Sequence, residues 1–196
     1  MIVVISATGS NLGSVTNALK RLDKEFEISN DVNHIKNASH VILPGVGTAQ
    51  MGMQNLARLD LIDVIKSLKV PVLGICLGMQ LLFEYSQESN IACLGIIPGV
   101  IKSLSEKKDF PIPHMGWDTL NWKKESALRK AVDENVHVYF VHSFAAPINE
   151  TTLASCDYTE EFSVVVQKDN FYGMQFHPEK SSTVGLQLLK NFCEGV

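Results

Sequence analysis

Residues 2–5, 41–43 and 70–75 are continuously apolar rather than alternating. A strand with one wet face alternates, so uninterrupted runs predict inner strands of a parallel sheet covered on both sides. Helical patterns separate them. Residues 11–22 predict one helix, and Asp60 can cap another that sets Leu61, Ile62, Ile65 and Leu68 on one face. The order strand, helix, strand, helix predicts an α/β core. Beyond about residue 90 the pattern shortens: runs at 96–104, 137–141, 151–156, 163–167 and 171–175, split by turn residues, predict antiparallel or mixed sheet. A final helix is expected after Ser181 as cap, with Val184, Leu188, Leu189, Phe192 and Cys193 as its core stripe. The expected fold class is α/β, with a mixed, mainly parallel central sheet, helices on both faces and a small antiparallel extension. No repeat or linker interrupts the 196 residues, so one domain, 1–196, is expected.

Composition narrows the classes. With 45% hydrophobic and 19% charged residues, the chain reads as a soluble globular protein. A formal charge of −4 and only two short basic pairs, Lys107 with Lys108 and Lys123 with Lys124, argue against nucleic acid. The apolar runs fall short of the roughly 20 residues that span a bilayer, and the first residues lack a signal-peptide pattern. No membrane association and a reducing cytoplasm are the expectation. Cysteines at 76, 93, 156 and 193 have neither metal-site nor disulfide spacing, so no metal and no cofactor are expected, and three of the four are expected simply to pack.

The candidate chemistry begins at GICLGMQ, residues 74–80. An apolar strand running into GxCxG and then a helical pattern, LGMQLLFEY, has the form of a nucleophile elbow: glycines allow a sharp turn that presents Cys76 over a helix N-terminus. The Leu77 amide, one residue on, falls where an oxyanion needs a donor. Read alone, the motif equally suits a buried cysteine flanked by packing glycines. A thiolate needs a base and the base an orienting group. His177 and Glu179 in GMQFHPEKS, two apart and with Pro178 keeping the segment extended, can point the same way. His34 and His40 sit among polar loop residues, and His137 and His142 flank a buried-looking strand and suit structural hydrogen bonds. In LPGVGTAQ, residues 43–50, a glycine-rich strand end can present the Gly47 amide to an anion, although a plain strand-to-helix turn has the same composition.

In this order, LPGVGTAQ, GICLGMQLLFE and GMQFHPEKS resemble a class I (triad) glutamine amidotransferase domain, a match spanning nearly the whole chain. Within that class, PGVG, IPHMGW at 112–117 and YFVHSF at 139–144 look like the glutaminase subunits of imidazole glycerol phosphate synthases. The resemblance implies a flavodoxin-like class I amidotransferase fold and a Cys76, His177, Glu179 triad. It also implies an oxyanion hole of Gly47 and Leu77, with substrate contacts from Gln80, from Glu88 at the far end of the elbow helix, and from Ser143 with Phe144. The implied partner is a (β/α)8-barrel cyclase in a heterodimer, met by Asn11, Met115, Trp117, Tyr139 and Lys180, which uses the ammonia to make imidazole glycerol phosphate and an aminoimidazole carboxamide ribotide. Two departures stand out: ISATGSN replaces the commoner DYGxGN, and Phe144 stands where Tyr is usual. A paralogue feeding ammonia to surface-sugar amidine synthesis shares these motifs, and a stand-alone cysteine hydrolase shares the elbow.

Overall fold

A computed structural model of the chain describes residues 1–8 and 12–196. Among these residues the first half runs β1 (Ile2–Val4), α1 (Leu12–Arg21), β2 (Phe26–Ile28), α2 (Val32–Lys36), β3 (His40–Gly45), α3 (Ala49–Arg58), α4 (Leu61–Ser67), β4 (Val72–Cys76) and α5 (Leu77–Leu81). The second half runs β5 (Phe83–Ser86), β6 (Ile91–Ala92), β7 (Ile97–Ser103), β8 (His114–Trp122), β9 (Val136–His142), β10 (Phe144–Ala145), β11 (Thr152–Asp157), β12 (Glu161–Lys168), β13 (Phe171–Met174) and α6 (Ser182–Gly195). The main sheet has nine strands in the order β2-β1-β3-β4-β13-β12-β11-β8-β9. Pairing is parallel from β2 through β13 and antiparallel from β13 out to β9. A four-stranded sheet, β10-β7-β5-β6, adjoins it.

The continuous apolar runs are explained by cover on both faces. Along β3, Ile42 belongs to one apolar cluster and its neighbours Val41 and Leu43 to the other; Leu73 and Val72 divide the same way in β4. Successive strand side chains point to opposite faces, so the two clusters lie on the two sides of one sheet. Val15 and Leu19 of α1 and Leu188, Leu189 and Phe192 of α6 cover the first side. Leu56 of α3 and Leu61 and Ile65 of α4 cover the second. Each such side chain, fully buried, contributes about 1.5–3 kcal/mol relative to exposure.

Several local expectations are overturned. The helix after the elbow is a single turn, because Phe83 is needed as a buried strand residue paired with Ile97. Glu88 therefore does not end that helix; it follows β5. Asp60 precedes α4 but has φ 54° and makes no side-chain cap bond, and Ser181 precedes α6 without capping it. The Ser181 hydroxyl instead donates to the His177 carbonyl at 2.7 Å and accepts from the Tyr139 amide at 2.9 Å. His34 lies in α2 rather than a loop, and His40 opens β3, its ring edge-on to Phe192. Cys93, Cys156 and Cys193 are free thiols packed in or against the two clusters. Among the described residues no helix is long and apolar enough to cross a membrane.

Candidate active site

β4 delivers Cys76 to the C-terminal edge of the parallel strands, where open α/β sheets place their ligand crevices. Its backbone turns sharply, with φ 54° and ψ −113°, a conformation costing about 1–3 kcal/mol in a non-glycine residue. Gly78 makes the turn possible. A Cβ there would sit 1.7 Å from the Leu43 carbonyl oxygen, so only a bare backbone lets α5 lie against β3.

His177 reaches the same crevice from beyond β13. Its Nδ1 lies 2.8 Å from Glu179 Oε1; the carboxylate can only accept, so Nδ1 donates and Nε2 is left free for Cys76, with which His177 lines one cavity. The segment holding the pair is a 3-10 turn, Pro178–Lys180, not the extended stretch the sequence suggested. Proline suits the first position of a helical turn, where its missing N–H is not needed. Glu179 is reached by folding back, and its side chain is 5% exposed. Burial would push the His177 imidazole down, but its hydrogen bonds to Cys76 and Glu179 and their negative charge outweigh burial and raise its pKa to about 10.

The cavity over the sulfur holds about 350 Å³ and is lined by Gly47, Cys76, Leu77, Gln80, Glu88, Ser143, Phe144, His177 and Lys180. Its size suits a small molecule. The Gly47 backbone has φ +94°, which favours glycine. Glu88 Oε2 accepts the Ala49 amide at 2.8 Å, so this carboxylate also caps the helix that follows the PGVG turn. Both Gln80 amide hydrogens are committed, to the Phe144 carbonyl and to Gln175 Oε1, each at 2.9 Å, leaving its own carbonyl oxygen as the atom open to a ligand. Thr8, from the atypical first loop, donates its hydroxyl to the Pro44 carbonyl and accepts the Val46 amide at 3.2 Å, tying that loop to the same turn.

Of the expected partner-facing residues, Met115 and Trp117 are 64% and 52% exposed, and the Trp117 ring meets the cross-strand ring of half-buried Tyr139 at 5.9 Å. Lys180 is exposed at the cavity edge. Asn11 lies outside the described residues. Sequence reasoning missed Gln175, fully buried, whose Nε2 points at Cys76 Sγ at 3.9 Å. The available clue was a polar residue two before His177 in an apolar run. It also missed the pairing of His114 with His142, at 3.1 Å.

A family model described as glutamine amidotransferase class-I matches residues 3–196. The chain belongs to that family. This class I amidotransferase is 56% identical over 192 residues to the imidazole glycerol phosphate synthase subunit HisH 2 of Legionella pneumophila (strain Paris), covering 98% of this chain and 96% of that protein. It is 45% identical over 199 residues to the HisH subunit of Vibrio parahaemolyticus, covering 98% and 97%. Solved structures give the same fold at lower identity. A crystal structure of a glutamine amidotransferase superposes with TM-score 0.74 at 17% identity, covering 98% of this chain and 97% of that one. PurLQS from Thermotoga maritima gives 0.68 at 19% identity, covering 98% and 96%.

Proposed function

We propose that this chain is the glutaminase subunit of an imidazole glycerol phosphate synthase, in which Cys76, His177 and Glu179 hydrolyse glutamine and the ammonia passes to a (β/α)8-barrel cyclase. The observation that carries the reading is the convergence of a strained cysteine, a raised-pKa histidine and a buried carboxylate at one cavity. Cys76 gives its thiol proton to His177 Nε2 and its Sγ attacks the glutamine side-chain carbonyl carbon, and the oxygen takes the charge between the Gly47 and Leu77 amides. His177 gives its proton to the departing nitrogen as the C–N bond breaks, leaving a glutamyl thioester and ammonia. Water, deprotonated by the same imidazole, then attacks the thioester; glutamate leaves and the sulfur is restored. Glu179 keeps the ring in one orientation through both steps. Glu88 faces the substrate's α-ammonium, and Gln80 with Ser143 and Phe144 line its backbone end.

Ammonia released into neutral water is protonated and stops being a nucleophile, so the reading requires an acceptor docked on the chain. The exposed Met115, Trp117 and Lys180, with half-buried Tyr139, suit such a partner, since aromatic and Met side chains anchor interfaces better than they serve a solvent face. The names of the relatives favour the imidazole glycerol phosphate reading over the sugar-amidine one. Replacing Cys76 by Ala tests it. Glutamine-dependent cyclisation should be abolished while cyclisation fed by added ammonium continues in the assembled complex; loss of neither, or of both with assembly intact, would refute the assignment.

A further inference from the structure

Four polar groups form a line that starts at the cavity wall, where His142 and Phe144 face the cavity, and that the hydrolysis above does not use. His114 on β8 and His142 on β9 are cross-strand partners with their rings on the same face, and both are buried. His142 Nδ1 lies 2.9 Å from the Phe144 carbonyl oxygen, His142 Nε2 lies 3.1 Å from His114 Nδ1, and His114 Nε2 lies 3.3 Å from Asp118 Oδ2. The Phe144 carbonyl takes a second hydrogen bond, from Gln80 Nε2 at 2.9 Å.

The positions of the protons follow from these distances. A carbonyl oxygen only accepts, so His142 carries its proton on Nδ1. Burial drives the His142 pKa down to about 3 against the pull of the Phe144 carbonyl, with His114 and His177 lowering it further, so the ring is neutral and its Nε2 is a bare acceptor. His114 must then hold a proton on Nδ1 to fill that acceptor. The groups facing His114 are Asp118 on its own strand, His142 on β9, and the stacked Tyr158 ring at 3.9 Å; the Cys156 thiol of β11 lies against Asp118. From His114 Nδ1 onward each donor points towards Phe144, while the Asp118 carboxylate, which only accepts, draws a proton to His114 Nε2 against the burial that lowers the ring's pKa.

We propose that His114 and His142 are positioning residues that fix the Ser143 and Phe144 wall of the substrate cavity, and through the shared Phe144 carbonyl also fix Gln80. Neither ring transfers a proton in the reaction. Their contribution is to hold an acceptor, the Phe144 carbonyl, that two donors from different elements both need. Gln80 in turn holds Gln175, so one misplaced carbonyl would release two buried amides. Because the line starts on β8, whose other face carries Met115 and Trp117, it also joins the partner-facing strand to the cavity.

The proposal rests on the glutaminase reading for its kinetic arm, and a second arm is independent of it. Nitrogen-15 NMR of the imidazoles in the full chain should show His142 neutral with its proton on Nδ1, and His114 with a proton on Nδ1; a proton on His142 Nε2 would overturn the proposal whatever the activity. In the complex with the cyclase, His114→Phe keeps the ring stack on Tyr158 and Phe140 but removes the donor, and should raise KM for glutamine about tenfold with kcat within about threefold. His114→Asn can place an N–H near the Nδ1 position while losing the stack, so it should keep a near-native KM at a lower urea midpoint. The reverse ranking, with KM following the stack, would assign His114 a packing role only. A wild-type complex that releases no glutamate would overturn the glutaminase reading instead, and the tautomers would still decide this one.

Discussion

His177 and Glu179 are two residues apart, yet their 2.8 Å contact exists because Pro178 starts a 3-10 turn that folds the carboxylate back under the ring. The turn is anchored in its own right: the Ser181 hydroxyl bonds the His177 carbonyl, and the His177 amide donates to the Tyr139 carbonyl at 2.9 Å. The imidazole is therefore held by a backbone bond to β9 as well as by its carboxylate.

Glu179→Gln should lower glutamine hydrolysis by about 10² to 10⁴-fold, the range that correctly placed acid–base groups supply. The amide no longer stabilises an imidazolium. Steady-state glutamate release in the presence of the cyclase checks this, with little change expected in ammonium-fed cyclisation.

The same pair has a signature in stability. A histidine whose folded pKa is raised to about 10 keeps a proton that the unfolded chain sheds near pH 6.5, so its stabilisation is fully present below about pH 6.5 and is lost as pH rises through about 10. Urea midpoints measured from pH 6 to 10 should fall for the wild type. In Glu179→Gln that fall should be shallower.

Gly78→Ala tests the elbow. With its Cβ placed 1.7 Å from the Leu43 carbonyl oxygen, backbone must move against backbone, and the loss of stability should reach at least the 1–3 kcal/mol typical of overpacking. Urea unfolding reads it directly.

Gln175→Leu removes the buried amide between Gln80 and Cys76. One Gln80 hydrogen is left without an acceptor, at a cost of about 1–3 kcal/mol. Cys76 alkylation by iodoacetamide should slow as well, because the sulfur loses an N–H donor.

Trp117→Ala should leave the isolated chain within about 0.5 kcal/mol of wild-type stability, as expected of an exposed site, and weaken the cyclase complex by about tenfold or more. Titration calorimetry separates the two. An unchanged affinity would move the docking face elsewhere.

Much of the site could be read along the chain because its elements are local. The GxCxG turn, the PGVG turn and the HPE segment each carry their chemistry within a few residues, and all three converge on one cavity. The length of the elbow helix could not be read locally. LLFEY is as good a helix as a strand, and pairing of Phe83 with Ile97 decides for the strand. Glu88 shows the same limit: its place was expected from a helix that ends seven residues earlier, and it reaches the cavity through β5 while capping α3.

By itself the sequence determined the alternation of helices with doubly covered strands, the position of the cysteine at a strand end, and the residue types of the proposed triad. These follow from hydrophobic period and glycine placement, which act over a few residues. Only the tertiary structure decided that His114 lies against His142, that Gln175 faces the sulfur and that Thr8 braces the PGVG turn. Those contacts join residues 28, 99 and 36 positions apart, and a buried polar group finds its partner through sheet order and packing, which no short stretch of chain encodes.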